Sequence, residues 1–367
     1  MKRILWFVVL ILFFNINVAL AEEEYTEPLM EKAIVLEAEE AVEVEGLYND
    51  LKMQKVKIKI TSGKYKGHTL DIENHLSSNQ VYDILVKKGD KIVVMLEEYE
   101  DGYEVYVADF QRAHYILYLS ILFIGLILVI GKTKGLKAII SLVLTILAIL
   151  YILLPQILKG VDPVPISILI SIGVTIITIF LVAGINYKSI SAILGTSAGV
   201  IIAGAISYYV GLKIHLTGLS AEEATMLMYI PQEISFNFRN LLFAGIILGA
   251  LGAVMDVGMS IASAIDEIHN ANNNLTRKEL FISGMNVGKD IMGTMTNTLI
   301  LAYTGSSIPL LLLFMAYETS LVKVLNLDVI ATEAIRSLSG SIGLVLTIPI
   351  TALIASILTK SQKSINK

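Results

Sequence analysis

Long apolar runs constrain this chain more than any other feature of its sequence. From Ala113 onward they recur at about the 20-residue length that a helix needs to cross the hydrocarbon core of a bilayer. Only 17% of the 367 residues are charged, whereas soluble domains carry about a quarter. The sequence therefore predicts a mainly α-helical, polytopic membrane protein whose transmembrane domain covers 113–360. We expect spans at 114–131, 135–154, 164–184, 190–211, 240–263, 291–317 and 340–360.

One stretch leaves the number of spans open. Residues 284–323 form one interrupted span, or two spans joined at Thr304-Gly305-Ser306-Ser307. Seven spans leave 318–339 as an outer segment and put the basic tail over 361–367 on the cytoplasmic side, whereas eight put the tail outside. We predict about seven transmembrane helices, with eight as the alternative.

The N-terminus has the order of features typical of a secretory signal peptide. Lys2 and Arg3 precede an apolar run, which ends in the small-residue segment Ala19-Leu20-Ala21. This pattern predicts a signal peptide over 1–21. An uncleaved anchor is the alternative, and both place the following residues outside the cell.

The segment after the signal peptide changes from acidic to alternating. Residues 22–31 are predicted to be an acidic linker, and 32–112 an extracytoplasmic domain. In that domain, apolar residues alternate with polar ones over 56–60 and in part over 103–107, 92–96 is a short apolar run, and glycine turns lie between them. Short strands with such turns indicate a small all-β barrel of the OB or SH3-like type. His68 and His75 lie here without a third metal ligand at suitable spacing, so we expect them at the surface.

Loop charges set the expected orientation. The loop over 131–137 carries three lysines, whereas the loop over 212–238 carries three glutamates against one lysine. Because basic residues concentrate on the cytoplasmic side, the N-terminal domain should face outward. We expect a multi-pass protein of a bacterial-type plasma (inner) membrane with a cytoplasmic C-terminus.

The sequence lacks the signals of several protein classes. It has no cysteine, and its formal net charge is −5, which does not suit nucleic-acid binding. It also lacks zinc-hydrolase, serine-nucleophile and phosphate-loop motifs. We therefore predict no enzymatic activity, no cofactor, and no nucleic-acid or nucleotide partner, and we leave metal binding open.

Two segments place polar residues within apolar surroundings at helical spacing. A charge at the bilayer centre costs about 2.5–3.5 kcal/mol on insertion scales, and it often indicates function. Each set follows a four-three-four spacing, counting Gly293 in the second, which puts its members on one helical stripe. We expect the two stripes to satisfy each other and to line an ion or substrate path, although the acids nearest the inner membrane surface could simply be solvated there. The candidates are Asp256, Ser260, Ser263 and Glu267 in the first segment, and Asn286, Asp290 and Asn297 in the second.

A third segment interrupts an apolar run. Gly305, Ser306 and Pro309 are candidates for a broken helix. Such breaks are tolerated in a bilayer where the freed backbone groups meet protein or a cavity, and they often mark transporter sites. Tight glycine packing without a site is the alternative.

Three segments of the membrane part carry a resemblance to a known family. They are Gly249-Ala-Leu-Gly-Ala-Val-Met-Asp256-Val-Gly-Met-Ser260, Gly284-Met-Asn-Val-Gly-Lys-Asp290-Ile-Met-Gly-Thr-Met-Thr-Asn297-Thr-Leu-Ile-Leu-Ala-Tyr303, and Arg336 through Pro349-Ile-Thr351. Together they resemble the YibE/F family of multi-pass membrane proteins over about 114–360. The resemblance implies an integral membrane protein with transport-related activity, and it supplies no substrate.

These observations lead to one functional expectation and one alternative. We expect a permease-like transporter of a small ion or solute, with an intramembrane carboxylate site. The alternative is a non-transporting scaffold or sensor whose exported β-domain binds an envelope partner. The expected partners are the lipid bilayer and either further copies of the chain or a paralogous membrane subunit.

Overall fold

The protein is described by a computed structural model over residues 29–43, 52–77, 83–99, 102–230, 235–318 and 320–365. The predicted signal peptide and most of the predicted linker lie outside the described residues, as do the last two residues of the tail. Glu233, one of the three glutamates counted in the loop over 212–238, also lies outside them. The chain divides between Leu122 and Phe123 into two compact units, each described by itself below.

The first unit contains an antiparallel sheet. The strands are β1 Leu29–Ala38, β2 Val42–Glu43, β3 Lys52–Ile60, β4 Thr69–Leu76, β5 Lys91–Tyr99 and β6 Gly102–Phe110. Their order in the sheet is β4-β3-β1-β5-β6, and the short β2 pairs with the start of β3 on the same side as β1. β1 begins inside the segment predicted as a linker, because its backbone pairs with β5 from Leu29 onward.

The sheet curves into a half-barrel. Since every pairing is antiparallel, the free edges β4 and β6 run in the same direction. The two edges line a cleft of about 370 Å³, and no backbone ladder joins them within the described strands. The N-terminal all-β prediction is therefore confirmed at the level of a half-barrel.

Alternation along the strands builds the core of this unit. Val56, Ile58 and Ile60 are buried and pack with residues of β1 and β5. The buried Gln54 is satisfied by backbone: its Nε2 donates to Val86 O at 2.8 Å, and its Oε1 accepts from Val86 N at 3.2 Å. This amide fixes the segment before β5 against the sheet.

The second unit is helical. The helices are α1 Ala113–Ala148, α2 Leu154–Leu158, α3 Pro163–Ala183, α4 Tyr187–Lys213, α5 Glu222–Met226, α6 Phe238–Ala271, α7 Arg277–Ser306, α8 Ile308–Ala316, α9 Leu321–Leu325 and α10 Asp328–Ile365. Helix α1 begins in the first unit and continues into the second. A π-helical turn, Ile149–Leu153, joins α1 to α2, and a 3₁₀ turn, Leu227–Tyr229, follows α5.

Among the described residues, five helices are long and apolar enough to cross a bilayer, and the bent α7–α8 pair makes a sixth candidate. This count treats residues 113–158 as one span. That stretch turns sharply at Lys132, where φ is 47° and ψ is −125°. The turn brings Gly135 so close to Ile127 that a Cβ atom would stand 2.2 Å from the Ile127 carbonyl oxygen. Helices of membrane-spanning type are therefore confirmed, while the count of seven is not.

Helix α6 lies at the centre of the bundle and contacts α3, α4, α7 and α10. Its buried side chains include Val254, Val257 and Ile261, which pack with Leu344 and Ile348 of α10. Apolar packing against four neighbours thus fixes which face of α6 points inward.

The last long helix begins earlier than its apolar run. The sequence pattern suggested an outer segment up to Ser339, but α10 starts at Asp328. Asp328 accepts hydrogen bonds from the backbone N and Oγ1 of Thr217 at 3.2 and 2.7 Å. Thr332 and Ile335 are buried in the next turns, so tertiary contacts stabilise helix where the local sequence is polar.

Candidate intramembrane polar site

The first polar stripe lies on the face of α6 opposite its packed face. Asn237 caps this helix by accepting from Asn240 N at 3.0 Å, and Asn240 Nδ2 donates to both carboxylate oxygens of Asp162 at 3.1 Å. These bonds hold the start of α6 against the start of α3. In this orientation Asp256, Ser260 and Glu267 are exposed, and Ser263 is half-buried.

The second polar stripe lies on the uncovered face of α7. A capping box between Thr276 and Glu279 starts this helix. Its packed face carries Gly284, Gly288 and Leu299, all buried. The three candidates on this helix, Asn286, Asp290 and Asn297, are all exposed.

Close glycine contacts show how the two stripes compare in depth. A Cβ atom at Gly284 would lie 2.5 Å from Ile265 Cδ1, and one at Gly288 would lie 3.2 Å from Ile261 Cδ1. The helices are therefore antiparallel neighbours, and each step down α6 matches a step up α7. By this spacing, Asp256 lies at about the depth of Gly293.

The stripes do not satisfy each other as expected. Within the described residues, none of the seven candidate side chains forms a hydrogen bond or ion pair with another. The interface between α6 and α7 is instead filled by isoleucines over glycines, which pack more closely than polar side chains would allow. Both stripes are left on surfaces that this chain does not cover. In lipid, the carboxylates of Asp256 and Asp290 would each be costly there.

Glycines extend the uncovered face of α6 away from Asp256. Gly245, Gly249 and Gly252 continue the stripe, and all three are exposed. Among the described residues, no atom comes within 4 Å of a Cβ built at Gly245 or Gly252, whereas one at Gly249 would lie 2.7 Å from the Tyr303 hydroxyl. The uncovered face of α6 therefore carries glycines toward the start of the helix and polar side chains from Asp256 onward.

Sequence reasoning missed a charged cluster beside Tyr303. On α10, Arg336 Nη1 donates to Glu333 Oε1 at 2.7 Å, and the Arg336 guanidinium lies 5.9 Å from the Tyr303 ring centroid. Glu333 Oε2 is buried and has no hydrogen-bond partner. The opposite charges of Glu333 and Arg336, three residues apart, were a signal for a helix here. The polar sequence around them instead favoured an outer loop. The cluster continues the polar surface from Gly249 toward one end of the bundle.

A second missed pair lies at the other end of α6. Lys188 Nζ, in the first turn of α4, is 3.6 Å from Asp266 Oδ2. Lys278 and Lys289, two basic residues near the predicted inner end of α7, form no ion pair within the described residues. Asp266 is therefore partly neutralised, and its neighbour Glu267 remains exposed.

The helix-break segment forms a bend between α7 and α8. The two axes differ by 59°, and Pro309 lies in the first turn of α8. Ser306 Oγ and Ser307 Oγ donate to the Tyr303 carbonyl at 2.7 and 3.2 Å. The freed carbonyl is thus satisfied by serine side chains at the bend, and Gly305 is exposed there.

Comparison with known proteins places both units in one family. The profile described as YibE/F-like protein matches residues 119–361, and that of the YibE/F family N-terminal domain matches residues 30–110. Neither the curated proteins nor the solved structures compared with the chain contain a match. The resemblance seen in the sequence motifs is confirmed, and the chain belongs to the YibE/F family.

Proposed function

We propose that this protein is a permease-like transporter of a small ion or solute, and that the uncovered faces of α6 and α7 line its path. The observation that carries the proposal is the match between two polar faces on adjacent membrane-type helices. Asp256 and Asp290 contribute carboxylates, and Ser260 and Asn297 contribute neutral polar groups at neighbouring depths. Polar groups of this kind in spanning helices usually serve an ion or substrate pathway.

We propose seven crossings for this path. The turn at Lys132 supports splitting residues 113–158 into two spans, which adds one crossing to the six candidates. The contacts agree with alternating crossings: Asp162 meets the start of α6, whereas Lys188 meets its far end. Lys188 and Arg277 then share one side, and the positive-inside bias makes that side cytoplasmic. The N-terminal half-barrel, which we take to be an OB- or SH3-like barrel exported by a signal peptide, lies outside.

Flux through the purified full-length protein tests the proposal. The protein is reconstituted in liposomes with a trapped pH dye, and flux is recorded under imposed proton and cation gradients. Asp256→Asn keeps the size of the side chain and removes its ionisable group. We expect at least a tenfold loss of flux in Asp256→Asn.

Glu223→Gln is the matched control, because it makes the same chemical change at an exposed residue in the short α5 helix. It should transport like the wild type. Equal flux in Asp256→Asn and wild type, with both proteins folded and inserted, would refute the role of Asp256. Absence of flux in all three proteins would favour the scaffold alternative.

The half-barrel gives that alternative its support. The cleft between β4 and β6 presents Asp71, Glu73 and Glu104 beside His75 and Tyr106. A scaffold or sensor would use such a charged cleft to bind an envelope partner. Glu73→Lys should then abolish the function of the protein in cells while leaving flux and membrane abundance unchanged.

A further inference from the structure

We propose that a second copy of this chain covers the exposed face of α7 and closes the polar path. This inference rests on the proposed function, because the path concerned is the one lined by α6 and α7. The face, called here the α7 seam, consists of Asn286, Asp290, Gly293, Thr294 and Asn297. All five residues are exposed in the single chain.

The spacing of the α7 seam suits packing against another helix. Asn286, Asp290, Gly293 and Asn297 follow at intervals of four, three and four, which is the heptad spacing of helices that cross at a shallow angle. Among the described residues, no atom lies within 4 Å of a Cβ built at Gly293. A second helix can therefore approach this glycine closely, as small residues permit in membranes.

The chemistry of the α7 seam is complementary to itself. A twofold axis along the membrane normal brings residues of equal depth together in the two copies. Asn297 then meets its own counterpart, and its amide can both donate and accept hydrogen bonds. Thr294 already donates to Ile291 O at 2.9 Å and can accept from the other copy. The same axis brings the two Asp290 carboxylates together, and Lys289, exposed beside Asp290, can pair with Asp290 of the other copy, so that the two lysines balance the two carboxylates.

The site is incomplete without the second copy. In one chain, Asp290 and Asn297 have no partner within the described residues and would face lipid. Packing of two α7 seams removes these groups from lipid and places them at the edge of the path, beside the α6 face with Asp256. The second α7 helix then supplies the missing wall of the path.

Because the natural chain contains no cysteine, single-cysteine cross-linking tests the interface directly. The full-length protein with Thr294→Cys is purified, reconstituted at a low protein-to-lipid ratio, and treated with a short bis-maleimide. We expect a covalent dimer in most of the protein. Leu169→Cys is the matched control, because Leu169 lies on α3 and is 66% exposed. Its dimer yield should be at least fivefold lower.

A second variant distinguishes close packing from random collision. Gly293→Leu, added to Thr294→Cys, should reduce the dimer to the level of the Leu169→Cys control without changing the melting temperature of the single chain. Equal cross-linking at the two positions, or no effect of Gly293→Leu, would overturn the proposal. So would recovery of Thr294→Cys cross-linked only to another protein in native membranes. The cross-link is read without any flux measurement. A protein that cross-links but shows no flux would therefore count against the transport function and leave the interface intact.

Discussion

Gly195 on α4 lies so close to Thr351 on α10 that a Cβ atom on the glycine would stand 1.8 Å from the threonine Oγ1. One helical turn further along, a Cβ at Gly199 would stand 1.8 Å from Thr347 Oγ1. At these two glycines the backbone of α4 therefore packs directly against threonine side chains of α10. This is the close approach that small residues at a spacing of four allow between membrane helices.

We predict that Gly195→Ala destabilises the helical unit. The added methyl group has no room and forces α4 and α10 apart, which costs about 1–3 kcal/mol in unfolding free energy for an overpacked core. Unfolding of the purified protein in mixed detergent micelles measures the change. Gly245→Ala is the control, since the Cβ position there is open among the described residues. Equal stability of the two variants would contradict the close contact.

A second prediction concerns the buried amide of Gln54 in the half-barrel. Gln54→Met has a similar volume but leaves the backbone N–H and C=O of Val86 without their partner. An unsatisfied buried polar group costs about 1–3 kcal/mol. Hydrogen exchange of the full-length protein should therefore become faster over residues 83–90. Lys55→Met, on the exposed neighbouring residue of β3, should leave that exchange unchanged.

A third prediction concerns the ion pair between Glu333 and Arg336. Arg336→Met leaves a partly buried carboxylate unpaired, and Glu333→Met leaves the guanidinium unpaired. Each loss should be smaller than the roughly 3–5 kcal/mol found for fully buried pairs, because these side chains are 23% and 31% exposed. The double variant should be more stable than either single variant in detergent. Strict additivity of the two single losses would show that the pair is not coupled.

A fourth prediction concerns the acid response of the turn after β3. Hydrogen bonds from Lys64 Nζ and Tyr65 Oη, each 2.8 Å long, lower the pKa of Glu98 below its usual value of 4.5. A lowered pKa in the folded state stabilises the fold above the unfolded pKa and loses this effect as the pH falls through the folded value. Exchange over residues 62–68 should therefore rise on acidification below about pH 4.5.

Glu98→Gln removes the titrating group and should abolish this acid response. Glu97→Gln is the control, because Glu97 accepts instead from Tyr99 Oη, at 2.7 Å. A response that persists unchanged in Glu98→Gln would assign it to another group.

The sequence pattern predicts some strands of the half-barrel better than others. The core of β3 follows from alternation of apolar and polar residues, as in Val56 to Ile60, and the core of β5 follows from its apolar run over 92–96. β1 and β4 are harder to recognise, because β1 begins with the exposed apolar residues Leu29 and Met30, and β4 places the polar Asn74 inward. Asn74 is buried only because its Nδ2 donates to Ile84 O at 2.8 Å. A partner ten residues away, on another segment, is not visible in local periodicity.

The sequence by itself determined the membrane character of the helices, the all-β N-terminal unit, the family, and the alignment of Asp256 with Ser260 and of Asp290 with Asn297 on helical stripes. These features depend on hydropathy and on the 3.6-residue period, which are local properties. Only the tertiary structure decided which face of each helix is covered. Isoleucines of α6 pack into glycine gaps on α7, so the polar stripes are left uncovered and do not meet. That choice depends on the shape of both surfaces at once, and no single segment encodes it.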